Sequence, residues 1–541
     1  MEVGVACSES RLPPLGVVNR RVGFVFACAL MRRSRVQGPP PEFVTHPLGV
    51  RPLGNLLVDR ARGIVDARRG GLGALARLSD ELLLEVLEFL CPRDVFRFGG
   101  ASRVAYAYAA HEDLWRTLVL HSYGGPSAWT FTGKWRSTAV ARELRADGER
   151  AAAALRAFAK GPPFSECRVY SDVLFQSHLA SAIDIDPRWL RSDSIARESA
   201  ADFTPMKFRE RYDYKGTPFV LTGAGATWPG WRAHDGGAWG ADALEAAHGS
   251  VSFHTAGFDC TLSEYLAYAR AEKSDQPLYL FDAAFAEKAP ALGQFCAPAA
   301  FREDLFALLG RDRPDYRWLI AGPRKSGSVF HQDPNGTSAF NACLQGSKLW
   351  ILLPPDMTPP GVFASADGEQ VCAPLSVMEW LHGFYSHFEV ARDARLRAIA
   401  SAGAVVGAKR ASTAADLHAP VEGVVRAGDV VFVPRGWWHL VLNLDDSMNV
   451  AITSNFCSRD GLPHVLRFLR DKPDAISGVR STDAANTLLQ RFRAALAAAE
   501  PDELARADAL LADEGAPKKN KWARALEQRQ NDGALLFNFS L

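Results

Sequence analysis

Residues 331–355 read HQDPNGTSAFNACLQGSKLWILLPP, and residues 428–444 read GDVVFVPRGWWHLVLNL. Each stretch combines short apolar runs with Gly or Pro turns, which is typical of β-strands in a sandwich or barrel. His331 and Asp333 are two residues apart, and side chains with this spacing on a strand project from the same face. A histidine and a carboxylate placed in this way can occupy two neighbouring positions on one metal ion.

His439, in the second stretch, is the candidate for a third ligand. Two imidazoles and one carboxylate on one face of an octahedral ion, with three positions open, form the facial triad of non-heme Fe(II) oxygenases. The HxD spacing alone is weak evidence, because His111-Glu112-Asp113 repeats it in a segment whose apolar periodicity is helical. The hypothesis that His331, Asp333 and His439 are the catalytic metal ligands therefore depends on the strands around them.

The segment 167–460 is predicted to be mainly β. Its strand-like runs are 217–222, 277–281, 316–320, 349–353, 430–433 and 439–444. Many short strands separated by Gly and Pro turns predict a sandwich or a barrel. Residues 391–420, rich in Ala, Gly and Ser, are predicted to be a flexible insertion, and helical periodicity returns over 461–541.

The β segment resembles the jumonji C domain, and particularly the subfamily that contains the nuclear jumonji lysyl hydroxylase and arginine demethylase. The resemblance rests on DPNGTSAFNA from Asp333, VPRGWWH ending at His439, PLYLFD from Pro277 and AGPR from Ala321. It extends over residues 168–456, more than half of the chain.

The resemblance implies a mainly β catalytic core, a double-stranded β-helix of the cupin-like jelly-roll type. It also implies Fe(II) at His331, Asp333 and His439, with 2-oxoglutarate as the cosubstrate. Oxidative decarboxylation of 2-oxoglutarate would hydroxylate a lysine methylene, or oxidise an N-methyl group that then leaves as formaldehyde.

The resemblance further implies which residues hold 2-oxoglutarate. Lys348 would pair with the distal carboxylate, and a buried amine would be costly unless it met such an anion. Five further polar residues match the cosubstrate pocket of the family: Ser328, Asn341, Thr453, Tyr279 and Asn455. The alternatives are a solvated turn lysine at 348 and ordinary strand polar residues at 453 and 455.

Two other groups of residues have simpler interpretations. Trp437 and Trp438 precede His439 and are predicted to pack the barrel wall. His382, His387 and Glu389 are too loosely spaced for a second metal site, and we expect them on the surface of a helix.

Residues 75–120 begin with the run LARLSDELLLEVLEFL, continue after a Cys-Pro break and end near Leu114-Trp115, and they predict three short helices. This segment resembles an F-box. The resemblance implies a SKP-type adaptor of a cullin ubiquitin ligase as the partner. The alternative is a helical cap on the next domain, which residues 121–166 would join as a linker.

Composition limits the remaining assignments. A chain of 541 residues exceeds one core, so two or three domains are expected, and a net charge of +1 gives no general attraction to nucleic acid or membrane. Residues 1–74 are rich in Arg, Pro and Gly and are predicted to be a disordered leader. The apolar run at 22–31 is too short to span a bilayer and leaves a weak targeting signal as the alternative.

Localisation and assembly are inferred from short features. Nine cysteines without a CxxC motif fit a reducing compartment. The arginines at 32–35 and the lysines at 518–521 are compatible with nuclear import, with the cytoplasm as the alternative. A helical stripe of Leu488, Leu489, Phe492 and Leu496 fits either a homodimer or intramolecular packing.

Three functions stay open at this point. The first is a protein oxygenase that hydroxylates lysine or demethylates arginine or lysine, in histones (as a chromatin regulator) or in RNA-associated proteins. The second is a non-catalytic ubiquitin-ligase receptor that uses the jumonji domain for recognition, and the third is another metal-binding cupin, such as an isomerase. The presence of Lys348 beside all three candidate ligands favours the oxygenase.

Overall fold

The computed structural model describes residues 44–123, 129–147, 164–255, 257–364, 371–404, 418–479 and 481–513. Its strands are β1 (Ala196–Ser199), β2 (Phe219–Thr222), β3 (Ser252–Thr255), β4 (Phe258–Thr261), β5 (Leu280–Asp282), β6 (Arg317–Gly322), β7 (Gly327–His331), β8 (Ser338–Gln345), β9 (Ser347–Leu353), β10 (Phe363–Ala364), β11 (Val371–Cys372), β12 (Val421–Arg426), β13 (Val430–Val433), β14 (Trp438–Asn443) and β15 (Asn449–Phe456).

These strands form two facing sheets and one small hairpin. The large sheet has the order β1-β2-β13-β8-β15-β6-β5-β3-β4, the small sheet has the order β12-β9-β14-β7, and β10 pairs with β11. Pairing is antiparallel throughout except between β1 and β2. Successive strands β8 and β9 belong to different sheets, as do β13 and β14, so the chain winds between the two layers. This confirms the predicted cupin-like jelly roll.

The alternation of side chains along β8 separates the inside of this sandwich from its outside. Ala339 and Cys343 face inward, where they pack with Trp350 of β9 and Val441 of β14. Phe340, between them in sequence, faces outward into the cluster formed with the surrounding helices. Asn341 shares the inward face with Ala339 and Cys343, because all three are two residues apart.

Helices flank the sandwich on both sides. They are α1 (Asn55–Ala61), α2 (Arg68–Leu72), α3 (Asp80–Glu88), α4 (Pro92–Gly99), α5 (Arg103–Ala109), α6 (Glu112–Tyr123), α7 (Trp135–Asp147), α8 (Asp172–Ala182), α9 (Pro205–Phe208), α10 (Ala241–His248), α11 (Leu262–Ala271), α12 (Phe285–Lys288), α13 (Val377–Ala404), α14 (Leu462–Asp471), α15 (Thr482–Ala499) and α16 (Pro501–Asp513). Among the described residues, none of the helices is long and apolar enough to cross a membrane.

The segment predicted as a three-helix F-box contains four helices, α3 to α6. Ser79 caps α3, with its hydroxyl accepting from the Leu82 N–H, and Pro92 begins α4 after the predicted break. The predicted third helix is two helices in the structure, because α5 ends at Ala109 and a new helix, α6, begins at Glu112. The acidic residues Glu112 and Asp113 in its first turn favour this helix start.

These four helices share one continuous core with the jumonji segment. Two tryptophans from the predicted linker pack against Tyr268 of α11. The ring of Trp129 packs edge-on at a centroid distance of 6.3 Å, and that of Trp135 packs at a tilt at 5.7 Å. The side chains of Ser177 and Gln276 donate to the two carboxylate oxygens of Asp113. The helical region is therefore docked on the sandwich, as the helical-cap interpretation expects.

Three other segments differ from their predictions. Residues 44–74 of the predicted leader contain α1 and α2, because the Arg51–Asp59 ion pair and a bond from Tyr170 to Asp59 anchor them, whereas residues 1–43 lie outside the described part. The predicted linker contains α7. Residues 391–404 of the predicted insertion are the second half of α13, whose first half packs on the small sheet, and residues 405–417 lie outside the described part.

The C-terminal helices bury the stripe that suggested a dimer. Leu488, Phe492 and Leu496 of α15 are buried against α14, α16 and residues 305–309 of the same chain. Intramolecular packing therefore accounts for these side chains, and they are not free for a dimer interface. The lysines at 518–521 lie outside the described residues.

Candidate metal and cosubstrate site

The imidazoles of His331 and His439 face each other inside the sandwich. His331 ends β7 and is directly opposite His439 on the antiparallel neighbour β14, so both side chains project from the same face. Their ring centroids are 4.1 Å apart. The two predicted ligands from separate sequence motifs are thus adjacent.

Both histidines are held in the tautomer that a metal ligand requires. Nδ1 of His331 lies 2.8 Å from the Val329 carbonyl oxygen, and Nδ1 of His439 lies 3.2 Å from that of Trp437. Since a carbonyl oxygen only accepts, each Nδ1 carries a hydrogen, and Nε2 is the nitrogen left on each ring for a metal. Burial and the neighbouring His331 also hold the pKa of His439 well below its usual value, so its imidazole stays neutral.

Asp333 lies two residues beyond His331 and has one carboxylate oxygen without a partner. Its Oδ1 accepts from the Asn455 side-chain amide at 3.2 Å, whereas its Oδ2 is buried and makes no hydrogen bond. Burial raises the pKa of Asp333 to about 6, against the opposing effects of His331 and Asn455. A buried carboxylate oxygen without a donor is costly, and a cation beside it removes that cost.

The donor set therefore fits a divalent iron: two imidazoles whose Nδ1 atoms are held by backbone carbonyl groups, and one carboxylate with an oxygen that has no hydrogen-bond partner. Among the residues that the structure describes, no group of three His, Cys, Asp or Glu side chains already has a metal-binding arrangement. The structure thus shows the two histidines side by side, whereas the binding of Asp333 to the same ion stays a prediction.

The loop that carries Asp333 is anchored by the C-terminal region. Asn335 has a left-handed backbone with a φ of 58°, and its side chain donates to the Ser477 carbonyl and accepts from the Ser477 N–H. Gly336 has a φ of 68° and passes so close to Phe468 of α14 that a Cβ there would be 3.0 Å from that side chain. The C-terminal helices therefore help to fix the position of Asp333.

Lys348 is a buried cation without an anionic partner in the described part of the chain. Its side chain is on β9 and is only 1% exposed, which excludes the solvated-turn interpretation. Nζ donates to the Tyr279 hydroxyl at 3.2 Å and to the Asn443 carbonyl Oδ1 at 2.9 Å, both neutral groups. A buried ammonium with only neutral acceptors is the environment in which a carboxylate ligand is most strongly bound.

Asn341 and Thr453 lie on the inner face of the large sheet. They are directly opposite each other on β8 and β15. Oδ1 of Asn341 is buried without a hydrogen-bond partner among the described groups, and the Thr453 hydroxyl donates to the Phe340 carbonyl at 3.1 Å. An unsatisfied amide at this position points to a polar ligand.

Ser328 reaches the inner face because of a β-bulge. Val441 is opposite Ser328 and His439 is opposite His331. A spacing of three residues on β7 therefore corresponds to a spacing of two residues on β14, which is a β-bulge. Ser328 and His331 therefore share a face, although their spacing in a regular strand would separate them.

Asn455, which by resemblance lines the cosubstrate pocket, contacts the candidate ligand Asp333. Its side-chain amide donates to Oδ1 of Asp333 and, at 2.9 Å, to the Thr337 hydroxyl. With both amide hydrogens used, Asn455 orients the carboxylate of the candidate ligand rather than donating to 2-oxoglutarate.

Two neighbours of the site were not predicted from the sequence. Asn443 is fully buried, accepts from Lys348 and donates to the Ser326 hydroxyl at 2.8 Å. The indole of Trp350 stacks on the ring of His439 at 5.9 Å. A signal existed for Asn443, because it follows His439 and Val441 at alternate positions of the same strand.

Comparison with known proteins places this geometry in a family. Residues 205–461 match the family described as a cupin-like domain. The chain is 39% identical over 462 residues to arginine-specific demethylase JMJ22 of Arabidopsis thaliana, covering 84% of this chain and 81% of that protein.

Two more distant relatives extend the comparison. The bifunctional arginine demethylase and lysyl-hydroxylase psr-1 of Caenorhabditis elegans is 30% identical over 280 residues, or 50% of this chain and 63% of psr-1. The 2-oxoglutarate and iron-dependent oxygenase JMJD4 of Danio rerio is 27% identical over 165 residues, or 30% of this chain and 31% of JMJD4. The chain therefore belongs to the jumonji C family of Fe(II)- and 2-oxoglutarate-dependent oxygenases.

Proposed function

We propose that this oxygenase demethylates arginine side chains in protein substrates such as histones or RNA-associated proteins. The observation that carries the proposal is the 39% identity, over most of both chains, with a relative named an arginine-specific demethylase. His331, Asp333 and His439 would hold Fe(II). Iron and 2-oxoglutarate would supply the oxidation of a substrate C–H bond, with succinate and carbon dioxide as coproducts.

The residues around Lys348 would hold the cosubstrate. An ammonium group can only donate hydrogen bonds, so the Tyr279 hydroxyl accepts from Lys348. The hydroxyl hydrogen of Tyr279 therefore remains available to a carboxylate. Lys348 and Tyr279 thus direct donors at the same space. Asn341, Thr453 and Ser328 line the inner face beside it and would contribute further hydrogen bonds to 2-oxoglutarate.

The lysyl-hydroxylase activity in the name of psr-1 makes lysine hydroxylation the alternative reaction. Mass spectrometry separates the two after incubation of the protein with Fe(II), 2-oxoglutarate and peptides containing dimethylarginine or lysine. We expect loss of one methylene from the dimethylarginine peptide, with formaldehyde and succinate released. Gain of one oxygen on the lysine peptide alone would replace the proposal with the alternative. Absence of succinate over a broad panel of peptides would favour the non-catalytic receptor.

We further propose that α3 docks a SKP-type adaptor, which would make the oxygenase part of a ubiquitin ligase. Leu83, Leu84 and Leu87 of this helix are buried in the core. Leu82, Val86 and Phe89 are exposed, Phe89 to 85%. An apolar row on the solvent side of an otherwise packed helix marks a protein interaction surface.

A pull-down with a purified SKP-type adaptor tests this second proposal. We expect the intact protein to bind and Phe89→Asp to bind at least about tenfold more weakly, since a buried charge opposes docking. Leu396→Asp is the matched control, because Leu396 is an exposed leucine on the distant helix α13. Equal binding by the intact protein and Phe89→Asp would leave α3 as a cap only.

A further inference from the structure

Two aromatic rings stack at the edge of the large sheet, at the end of the row of cosubstrate residues. Phe281 on β5 and Trp318 on β6 have ring centroids 5.5 Å apart and ring planes 28° from parallel. Phe281 is directly opposite Ile320, and Ile320 is two residues from Trp318, so all three side chains share one face.

This face is the inner face of the sandwich. Trp318 is directly opposite Thr453, and Thr453 is directly opposite Asn341. The row crosses three neighbouring strands, which places the Trp318 backbone about 10 Å from that of Asn341. Tyr279, which contacts Lys348, is two residues before Phe281. The stack therefore continues the surface on which 2-oxoglutarate is proposed to bind.

The stack is exposed where an inward-facing side chain is expected to be buried. Phe281 is 40% exposed and Trp318 is half-buried, whereas the inner side chains of Ala339, Trp350 and Val441 are covered by the opposite sheet. Ile320, on the same face, is only 6% exposed, so the exposure is confined to the aromatic pair. An exposed aromatic pair beside the proposed cosubstrate site is a candidate contact for the substrate.

We propose that the Phe281–Trp318 stack binds the guanidinium of the substrate arginine, an inference that rests on the proposed function. A planar guanidinium stacks on aromatic faces more favourably than a compact ammonium does. The same region already contains such a contact, because Arg313 lies 3.3 Å from the ring centroid of Tyr316. The substrate class is thus a flat cationic side chain rather than lysine.

The nearby positive charges do not occupy the stack. Arg313 forms an ion pair with Asp304. Arg317 precedes Trp318 and so projects from the opposite face of β6, where its guanidinium lies 5.3 Å from the ring centroid of Phe285. Within the described part of the chain, neither of these guanidinium groups therefore lies on the Phe281–Trp318 stack.

Peptide affinity measured by calorimetry tests the proposal without turnover, with Mn(II) and 2-oxoglutarate replacing the active mixture. We expect Trp318→Ala to weaken binding of a dimethylarginine peptide about 3- to 30-fold, whereas Trp318→Phe retains most of the affinity. Phe281→Ala provides a second, independent test if Trp318→Ala fails to fold. Phe363→Ala is the matched control, because Phe363 is 39% exposed and lies on β10, outside this face.

A citrulline peptide separates charge from shape, because citrulline is planar but neutral. We expect it to bind the intact protein several-fold more weakly than the arginine peptide. Equal affinities for both peptides, or unchanged affinity in both alanine variants, would overturn the proposal. Turnover of methylarginine by the intact protein with unchanged affinity in the variants would leave the proposed function standing and remove only this inference.

Discussion

The molecule contains the HxD motif twice, and the two copies have opposite environments. His111 and Asp113 flank the start of helix α6, and their side chains are 3.5 Å apart. Asp113 accepts from Ser177 at 2.9 Å through Oδ2 and from Gln276 at 3.4 Å through Oδ1, so both oxygens are used. In the second copy, Oδ2 of Asp333 is buried and has no donor.

This difference shows that the hydrogen bonds around a motif carry more information than the motif itself. The first copy is a satisfied polar contact that joins the helical region to the sandwich. The second copy leaves a buried carboxylate oxygen on Asp333 without a donor, two residues beyond His331, whose ring is paired with that of His439. Only the second arrangement has a chemical need for a cation.

The largest effect is expected from changing Asp333, the acidic residue of the second copy, in comparison with Asp113 of the first copy. Asp333→Ala should lower turnover of 2-oxoglutarate by more than about a hundredfold, because losing even a residue that orients a ligand costs 10- to 100-fold. Asp113→Asn, the matched variant, should retain turnover within about threefold, since that carboxylate makes structural hydrogen bonds. Succinate release measures both variants. Comparable losses in the two variants would show that the environments do not differ in function.

Lys348→Met is expected to have the next largest effect. Removing a charge-assisted hydrogen bond worth about 1.5 to 3 kcal/mol should raise the KM for 2-oxoglutarate about tenfold to a hundredfold. The same change should leave the free energy of unfolding of the ligand-free protein nearly unchanged, because removal of an unpaired buried charge is offset by the loss of a donor to the buried Asn443 Oδ1, which costs about 1 to 3 kcal/mol. Lys273→Met, at an exposed position, is the control for both measurements. A stable protein with an unchanged KM would exclude Lys348 from the cosubstrate site.

Asn455→Ala distinguishes a residue that orients Asp333 from one that binds the cosubstrate. Loss of its bond to Oδ1 of Asp333 should weaken iron affinity about tenfold and leave the KM for 2-oxoglutarate, measured at saturating iron, nearly unchanged. Thr337→Val, which removes the other partner of the amide, should have the same signature with a smaller size. An increase confined to the KM for 2-oxoglutarate would return Asn455 to the cosubstrate pocket, as the sequence predicts.

The smallest effect concerns pH and the surroundings of the first motif. Burial raises the pKa of Glu379 to about 7 and that of Asp275 to about 6, with Asp113 adding to both shifts. Glu379 and Asp275 therefore bind more protons in the folded protein than in the unfolded chain between about pH 4 and 7, and their contribution to the free energy of unfolding should fall as pH rises through this window. Thermal unfolding from pH 5 to 8, compared between the intact protein and Glu379→Gln, measures this contribution: the intact protein should lose stability relative to the variant as pH rises. A difference of the opposite sign would contradict the assigned shifts.

The sequence predicted the fold well wherever alternation of side chains defines a strand. Residues 349–353, 430–433 and 439–444 read as strands and belong to β9, β13 and β14. The helical region was less predictable, because α5 and α6 are separated by a break at Ala110 that the apolar periodicity does not reveal. Residues 44–74 looked disordered by composition, yet bonds from Arg51 and Tyr170 to Asp59 hold them in place. Such long-range pairs leave no local pattern.

The site was predictable where it depended on residue type and spacing, and less so where it depended on register. His331 and His439 are adjacent as predicted. The inward position of Ser328 requires a bulge in β7 that only the paired strand reveals. Asn455 was assigned to the cosubstrate by resemblance, but the fold brings its amide to Asp333. Contacts of this kind depend on loops whose path a sequence does not define.

Anomalous diffraction at the iron edge, from crystals grown anaerobically with Fe(II), would locate the metal. We expect one strong peak per chain, in contact with Nε2 of His331, Nε2 of His439 and the carboxylate of Asp333. A crystal saturated with Fe(II) that shows no peak there, or whose iron lies at His111 and Asp113 instead, would contradict this expectation.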